Sequence, residues 1–283
     1  MIPLRLEGPA KINLRLAVTG RQPDGYHLLE TDMALLDLAD RLLLMPGCSG
    51  LRVEAPADED VPRTPTENLA WRGLLAGLAG EPALACLTLE KRIPVAAGLG
   101  GGSSDAAAAW RLGRRWSGLP DDPTPEGDVL NELARIGADV PFFAAGHPIA
   151  RVTGIGERVE PLPAPAGGHE VVLVHPPFRL ATAAVFAELR PDEWGVAADD
   201  GNDLLAPALR LRTEIADVLR LVTGAGGRPQ LSGSGPTVFA RTDDPELADA
   251  LAGRLARGGL RTTRARLRLE PARIEALTDD DEA

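Results

Sequence analysis

Apolar and polar positions change period several times along this chain, and each change marks an element. Residues 4–6 and 12–18 alternate in the two-residue rhythm of strands, with Pro9-Ala10 separating them. Arg21-Gln22-Pro23-Asp24-Gly25 is a turn by its chemistry, because proline presets φ and glycine accepts a positive one. Residues 28–38 and 41–45 continue as strands, and 56–65 form a polar, proline-bearing loop. A helix is expected over 67–79, a strand over 84–93, a helix over 105–116, a loop over 120–125 and another helix over 127–136. After Pro161-Leu162-Pro163-Ala164-Pro165-Ala166-Gly167-Gly168, the most linker-like stretch, the pattern resumes. Residues 171–175 read as a buried strand, 182–189 and 203–221 as helices, 237–240 as a strand, 245–257 as a helix and 261–269 as a last strand. The acidic tail 278–283 is expected to fray. The boundary near 161 divides the chain into units 1–160 and 161–283, and no internal repeat occurs.

Composition narrows what these elements do. The 283 residues are 44% hydrophobic and 25% charged, enough for a packed core. Aromatic residues supply only 4%, so Leu, Val and Ala must fill that core. A net charge of −11 excludes long-range attraction to nucleic acid or to an anionic membrane surface. No apolar run approaches the roughly 18 residues of a membrane span. Cys48 and Cys86 are the only cysteines, so one disulfide is arithmetically allowed. The N-terminus alternates like a strand and lacks an apolar leader core, so reduced, mostly buried thiols and a cytoplasmic location are the expectation. Cysteine and histidine show no metal-type spacing. Lys11 and Lys91 are the only lysines among 30 basic residues, which makes each worth examining.

The chemistry concentrates at Pro94-Val95-Ala96-Ala97-Gly98-Leu99-Gly100-Gly101-Gly102-Ser103-Ser104, between a strand and a strongly helical run. Glycines let backbone approach a ligand, and the unpartnered N–H groups and positive dipole end of a helix start suit phosphate. A Walker loop would need Gly-Lys-Ser or Gly-Lys-Thr, and this loop has no lysine. A dinucleotide fingerprint fits Gly98 and Gly100 but meets Ser103 at its third glycine. A different kind of phosphate binder is implied.

Three motifs stand together: Pro9-Ala10-Lys11-Ile12-Asn13-Leu14, the glycine loop, and Leu231-Ser232-Gly233-Ser234-Gly235-Pro236. The trio resembles the GHMP family of small-molecule kinases. Asp24-Gly25-Tyr26-His27 and Gly137-Ala138-Asp139-Val140-Pro141-Phe142-Phe143 sharpen the match to members acting in non-mevalonate isoprenoid biosynthesis. The resemblance covers most of the chain, in order. Two departures are Ala96-Ala97, where some relatives carry glycines, and Leu205, where an acidic residue is common.

The resemblance implies an α+β fold of two subdomains, ATP bound in the N-terminal one and substrate in the cleft between them. It implies phosphoryl transfer from ATP, with Mg2+ expected, to a hydroxyl of a small molecule carrying a cytidine diphosphate. Asp139 would accept or orient the hydroxyl proton, its plainer alternative being a helix N-cap. Lys11 would stabilise charge on the transferring phosphoryl group. Residues Pro94 through Ser104 would wrap the phosphates, and either Ser103 or Ser104 could instead cap the following helix. Asn13, Tyr26, His27, Thr182 and Phe186 would serve the acceptor. Tyr26 would stack on the base, His27 would read its edge, and Phe186 is divided between a second stacking face and core. The turn 232–235 would close over the site. Asn202-Asp203-Leu204 resembles a family segment without an assigned role. The sequence names no protein ligand to the metal, and a monomer or weak homodimer is expected. Homoserine, mevalonate or a sugar is the rival acceptor within the family. A catalytically dead nucleotide sensor is the rival outside it, disfavoured by the retention of both Lys11 and Asp139.

Overall fold

A computed structural model describes residues 2–57, 59–78, 85–121, 125, 127–196 and 201–277. The chain opens with β1 (Leu4–Arg21) and β2 (His27–Pro46), a long antiparallel hairpin. Then come β3 (Gly50–Glu54), α1 (Leu69–Gly77), β4 (Ala85–Glu90) and α2 (Gly101–Trp116). Next are α3 (Gly127–Ala134), α4 (Val140–Ala144), β5 (Ile149–Gly154) and β6 (Arg158–Pro161). The remainder runs β7 (Glu170–His175), α5 (Thr182–Glu188), α6 (Leu205–Leu211), α7 (Glu214–Gly224), β8 (Gln230–Leu231), β9 (Val238–Thr242), α8 (Pro245–Arg257), β10 (Arg261–Arg266) and β11 (Glu275–Ala276).

Two sheets organise this α+β fold. The first runs β11-β1-β2-β4-β3, with β5 also pairing β2 and carrying β6; the second runs β10-β7-β9-β8. Residues 162–169 lead from the first sheet to the second, and β11 returns to pair β1. One apolar cluster joins the sheets, with Ile12, Leu36, Ile93 and Leu99 against Leu173, Phe239 and Leu267. A second packs α1 and α2 onto Leu42 and Leu87, and a third seats the later helices on Val172, Val174 and Val238.

Several expectations are corrected. The strands expected on either side of Pro9-Ala10 are one strand. Proline cannot donate to a ladder, and the β1–β2 register slips between Pro9 and Lys11, a bulge that absorbs it. A second slip lies between Asn13 and Arg15, so Lys11-Ile12-Asn13 sits between two irregularities that re-aim its side chains. The strands expected over 28–38 and 41–45 are likewise continuous. The helix expected over 203–221 divides at Arg212-Thr213 into α6 and α7. The helix expected from Asp105 starts at Gly101, inside the glycine loop. The cysteines expected to be reduced and mostly buried are neither. Cys86 pairs Met45 on one side and Gly50 on the other, and the intervening turn folds exposed Cys48 onto it. The two form a disulfide with Cα atoms 5.3 Å apart. The tail expected to fray lies outside the described residues.

Candidate active site

Glycine, proline and a buried carboxylate shape the turn out of β4. Asp40 Oδ1 accepts N–H bonds from Arg92 and Ile93, at 2.5 and 2.9 Å. Ala96, Gly98 and Gly100 then take positive φ, and Gly100 enters α2 as an N-cap without a side chain to cap it. Neither Ser103 nor Ser104 caps the helix, so the first-turn N–H groups are left for a ligand. Ser103 faces a cavity of about 460 Å3, whereas Ser104 is buried toward β1, its Oγ near Gly8 and without a partner. The loop residues Pro94 to Gly102 line that cavity with Ser103.

Both sheets hold the loop. Lys11 N–H donates to the Leu99 carbonyl at 2.9 Å, and the turn between β8 and β9 grips from the other side. Ser232 Oγ donates to the Gly98 carbonyl at 2.9 Å, and Thr237 N–H donates to that of Ala97 at 3.3 Å. A Cβ on Gly98 would strike the Ser232 carbonyl, so only glycine permits this approach. The turn expected to close over the site thus sits on the glycine loop itself. Asn202, without an assigned role in the sequence, secures that turn by donating from Nδ2 to the Leu231 and Gly233 carbonyls, at 2.9 and 2.8 Å.

Lys11 reaches into the same cavity from β1. Its buried Nζ donates to Asn13 Oδ1 at 2.7 Å and to the Gly98 carbonyl at 3.1 Å, and lies 3.6 Å from Asp139 Oδ2. Asp139 occupies the N-cap position of α4 but makes no capping bond. Its half-buried carboxylate instead faces the cavity. Val140-Pro141 behind it begin the helix and hold its direction.

Asn13, Thr182 and Phe186 line the cavity, and Thr182 Oγ1 shares a 2.8 Å hydrogen bond with Ser234 Oγ. His27 stacks on Phe186 with centroids 5.1 Å apart and meets the edge of Trp194 at 5.9 Å. Partial burial, helped by the charge of Arg21, lowers the His27 pKa from 6.5. The ring is therefore neutral at pH 7, with one donor and one acceptor nitrogen. Neither His27 nor its neighbour Tyr26, which is 64% exposed, is brought into the cavity wall.

Some supporting residues were not legible in the motifs. Buried Lys91 donates to Asp40 and, at 2.7 Å, to Asp105 Oδ2, tying the exit of β4 to the first turns of α2. Burial opposes the Lys91 charge, but the two carboxylates outweigh it and raise the pKa. Burial raises that of Asp105 well above the usual carboxylate range, Asp40 adding to the rise and Lys91 opposing it. Trp194 is a second such residue, and Thr31, which donates to the Arg15 carbonyl at 2.7 Å and receives Asn13 Nδ2 at 2.8 Å, is a third. Only Lys91 had a signal, as one of two lysines.

An uncapped glycine-rich helix start, a buried ammonium and a half-buried carboxylate paired with it meet in one cleft between two sheets, the arrangement of a small-molecule kinase. Residues 68–147 match the family model of the GHMP kinases N terminal domain. The 4-diphosphocytidyl-2-C-methyl-D-erythritol kinase of Rhodopseudomonas palustris is 38% identical, covering 89% of this chain and 92% of its own. That of Pelotomaculum thermopropionicum is 40% identical, covering 88% and 92%. A crystal structure of 4-(cytidine 5'-diphospho)-2C-methyl-D-erythritol kinase superposes with a TM-score of 0.76 at 35% identity, covering 93% of this chain and 98% of that one. The chain belongs to the 4-diphosphocytidyl-2-C-methyl-D-erythritol kinase family of GHMP kinases, and is an ATP-dependent phosphotransferase acting on a small molecule. No helix among the described residues is long and apolar enough to cross a membrane.

Proposed function

We propose that the protein transfers the γ-phosphate of ATP to a hydroxyl of 4-diphosphocytidyl-2-C-methyl-D-erythritol. The observation that carries the catalytic assignment is the meeting of Lys11 Nζ and Asp139 Oδ2, 3.6 Å apart, beside the uncapped start of α2. Phosphoryl transfer needs positioning and charge neutralisation more than covalent help. The backbone N–H groups of Gly101, Gly102 and Ser103 hold the phosphates, and Lys11 offsets charge on the transferring group. Asp139 accepts the hydrogen bond of the acceptor hydroxyl and takes its proton as the new O–P bond forms and the bond from the γ-phosphorus to the bridging oxygen breaks, ADP leaving. Thr182 and Asn13 line the path of the acceptor, and the neutral imidazole of His27 reads the edge of the base. Tyr26 and Phe186 offer the base its two faces.

Among the described residues no three His, Cys, Asp or Glu side chains gather as a metal cage. Mg2+ that arrives with ATP keeps waters and phosphate oxygens and takes few protein ligands. The Ser103 hydroxyl at the cavity wall fits that need, and the ion would offset phosphate charge. A monomer or weak homodimer is part of this reading, and a water-soluble substrate suits the cytoplasm.

The test is ATP consumption by the purified protein with the cytidine compound, free methylerythritol 4-phosphate, homoserine, mevalonate and galactose as acceptors. Turnover with the cytidine compound alone is expected, and loss of that turnover in Asp139→Asn with ATP binding retained. Turnover with another acceptor discards the base-reading roles. ATP binding without turnover on any acceptor favours a nucleotide sensor.

A further inference from the structure

Within the proposed reaction, Lys11 needs a fixed position, and its 3.6 Å separation from Asp139 does not supply one. Its shortest contact is the 2.7 Å bond to Asn13 Oδ1. An ammonium only donates, so Asn13 must present its oxygen to Lys11 and its amide nitrogen elsewhere. A flipped Asn13 would set an NH2 group against Nζ, two donors face to face.

Thr31 removes that ambiguity. It lies on β2, paired with Leu16 in the ladder, and is fully buried. Its hydroxyl donates its single proton to the Arg15 carbonyl at 2.7 Å. The oxygen is left as an acceptor only, and Asn13 Nδ2 donates to it at 2.8 Å. Direction thus passes along one chain of bonds, from the Arg15 carbonyl through Thr31 and Asn13 to Lys11 Nζ. The Arg15 carbonyl is itself presented beside the slip between Asn13 and Arg15, so the irregular backbone of β1 sets the first link. Lys11, Asn13 and Thr31 are each no more than 3% exposed, so water does not compete for these bonds.

We infer that Thr31 is a positioning residue for phosphoryl transfer, fixing the orientation of the Asn13 amide and through it the Lys11 ammonium. It touches neither ATP nor acceptor. Its hydroxyl therefore governs kcat and leaves the KM for ATP close to its original value.

The test is steady-state kinetics of Thr31→Val, Thr31→Ser and Asn13→Ala, with Thr31→Val repeated in the Asn13→Ala background. Thr31→Val keeps the shape and removes the acceptor. Its kcat is expected to fall at least about tenfold, within the span that misplaced catalytic groups cost. Thr31→Ser is expected to restore it. In the Asn13→Ala background Thr31→Val should change kcat no further, since residues acting through one another are not additive. A purely structural threonine would lower both backgrounds alike, and that result overturns the inference, as does an unchanged kcat in Thr31→Val. If the valine variant does not fold, Thr31→Cys, a weaker acceptor, carries the same test with an intermediate loss, and full activity in it overturns the inference. A wild-type protein that turns over no acceptor, or turnover untouched by Lys11→Met, would instead sink the reaction on which the inference rests.

Discussion

The two ends of the cleft are built to different standards. At the proposed phosphoryl end the cation and its Asn13 partner are buried, and the loop it serves is held from both sheets. At the proposed base end Tyr26 lies in solvent, and His27 rests on the face of Phe186 that a base would otherwise use. Charge explains the contrast. An ammonium near a developing phosphoryl charge stabilises it most when no reorganisation accompanies the reaction, so it is fixed in advance. A stacking site gains from an aromatic face wherever the ligand meets it, and can be completed on binding at a modest ordering cost.

The largest effects should come from breaking the fixed end. Lys11→Met and Asp139→Asn should each lower kcat by about 10²–10⁴ while ATP still binds, measured by turnover beside a direct nucleotide titration. Wild-type turnover in either variant would remove that residue from the reaction. Lys91→Met should act on stability, because two buried carboxylates lose their only ammonium. A loss of about 3–5 kcal/mol in denaturant unfolding is expected. A loss below about 1 kcal/mol would mean the triad is relieved by protonation, the direction in which the Asp105 pKa already lies.

His175 extends the comparison behind the turn that grips the loop, since its ring shares hydrogen bonds with Thr237 and Thr263. Burial, aided by the charge of Arg261, lowers its pKa from 6.5 to about 4. The unfolded chain therefore takes a proton that the folded one refuses. Stability is complete above pH 6.5 and falls as pH drops toward 4, by about 3 kcal/mol at the lower end. His175→Gln should flatten that part of the pH–stability curve, and an unchanged slope would clear His175 of the acid sensitivity.

The smallest effect belongs to the open end. Tyr26→Ala should raise the acceptor KM by an amount equivalent to about 1–3 kcal/mol and leave ATP KM and melting temperature alone. A lowered melting temperature would make Tyr26 a structural residue instead.

The same contrast governs how much could be read from the chain. Lys11, Asp139 and the glycine loop lie in short local motifs, and their residue types announce charge and close backbone approach. Thr31 and Asp40 act through strand register on partners 18 and 51 positions away, which a pattern of local periodicity does not encode. Glycine and serine are poor helix formers, so the residue pattern puts the helix start at Asp105 and leaves Ser103 and Ser104 together in the loop. The observed start at Gly101 makes both serines helical and turns their side chains about 100° apart, so that they face different surroundings. Pro9 read as a strand end because a bulge that accommodates proline leaves no mark in an alternating pattern. The cysteine pair was missed because the turn that brings Cys48 onto β4 depends on pairing across the sheet.

The decisive measurement is a crystal structure with 4-diphosphocytidyl-2-C-methyl-D-erythritol and a non-hydrolysable ATP analogue bound. The 2.7 and 3.1 Å bonds of Lys11 to Asn13 and Gly98 should persist unchanged, while Tyr26 becomes buried and the His27–Phe186 stack opens around the base. A rebuilt glycine loop and a displaced Lys11, with Tyr26 still in solvent, would contradict a fixed phosphoryl end and a base end completed by its ligand.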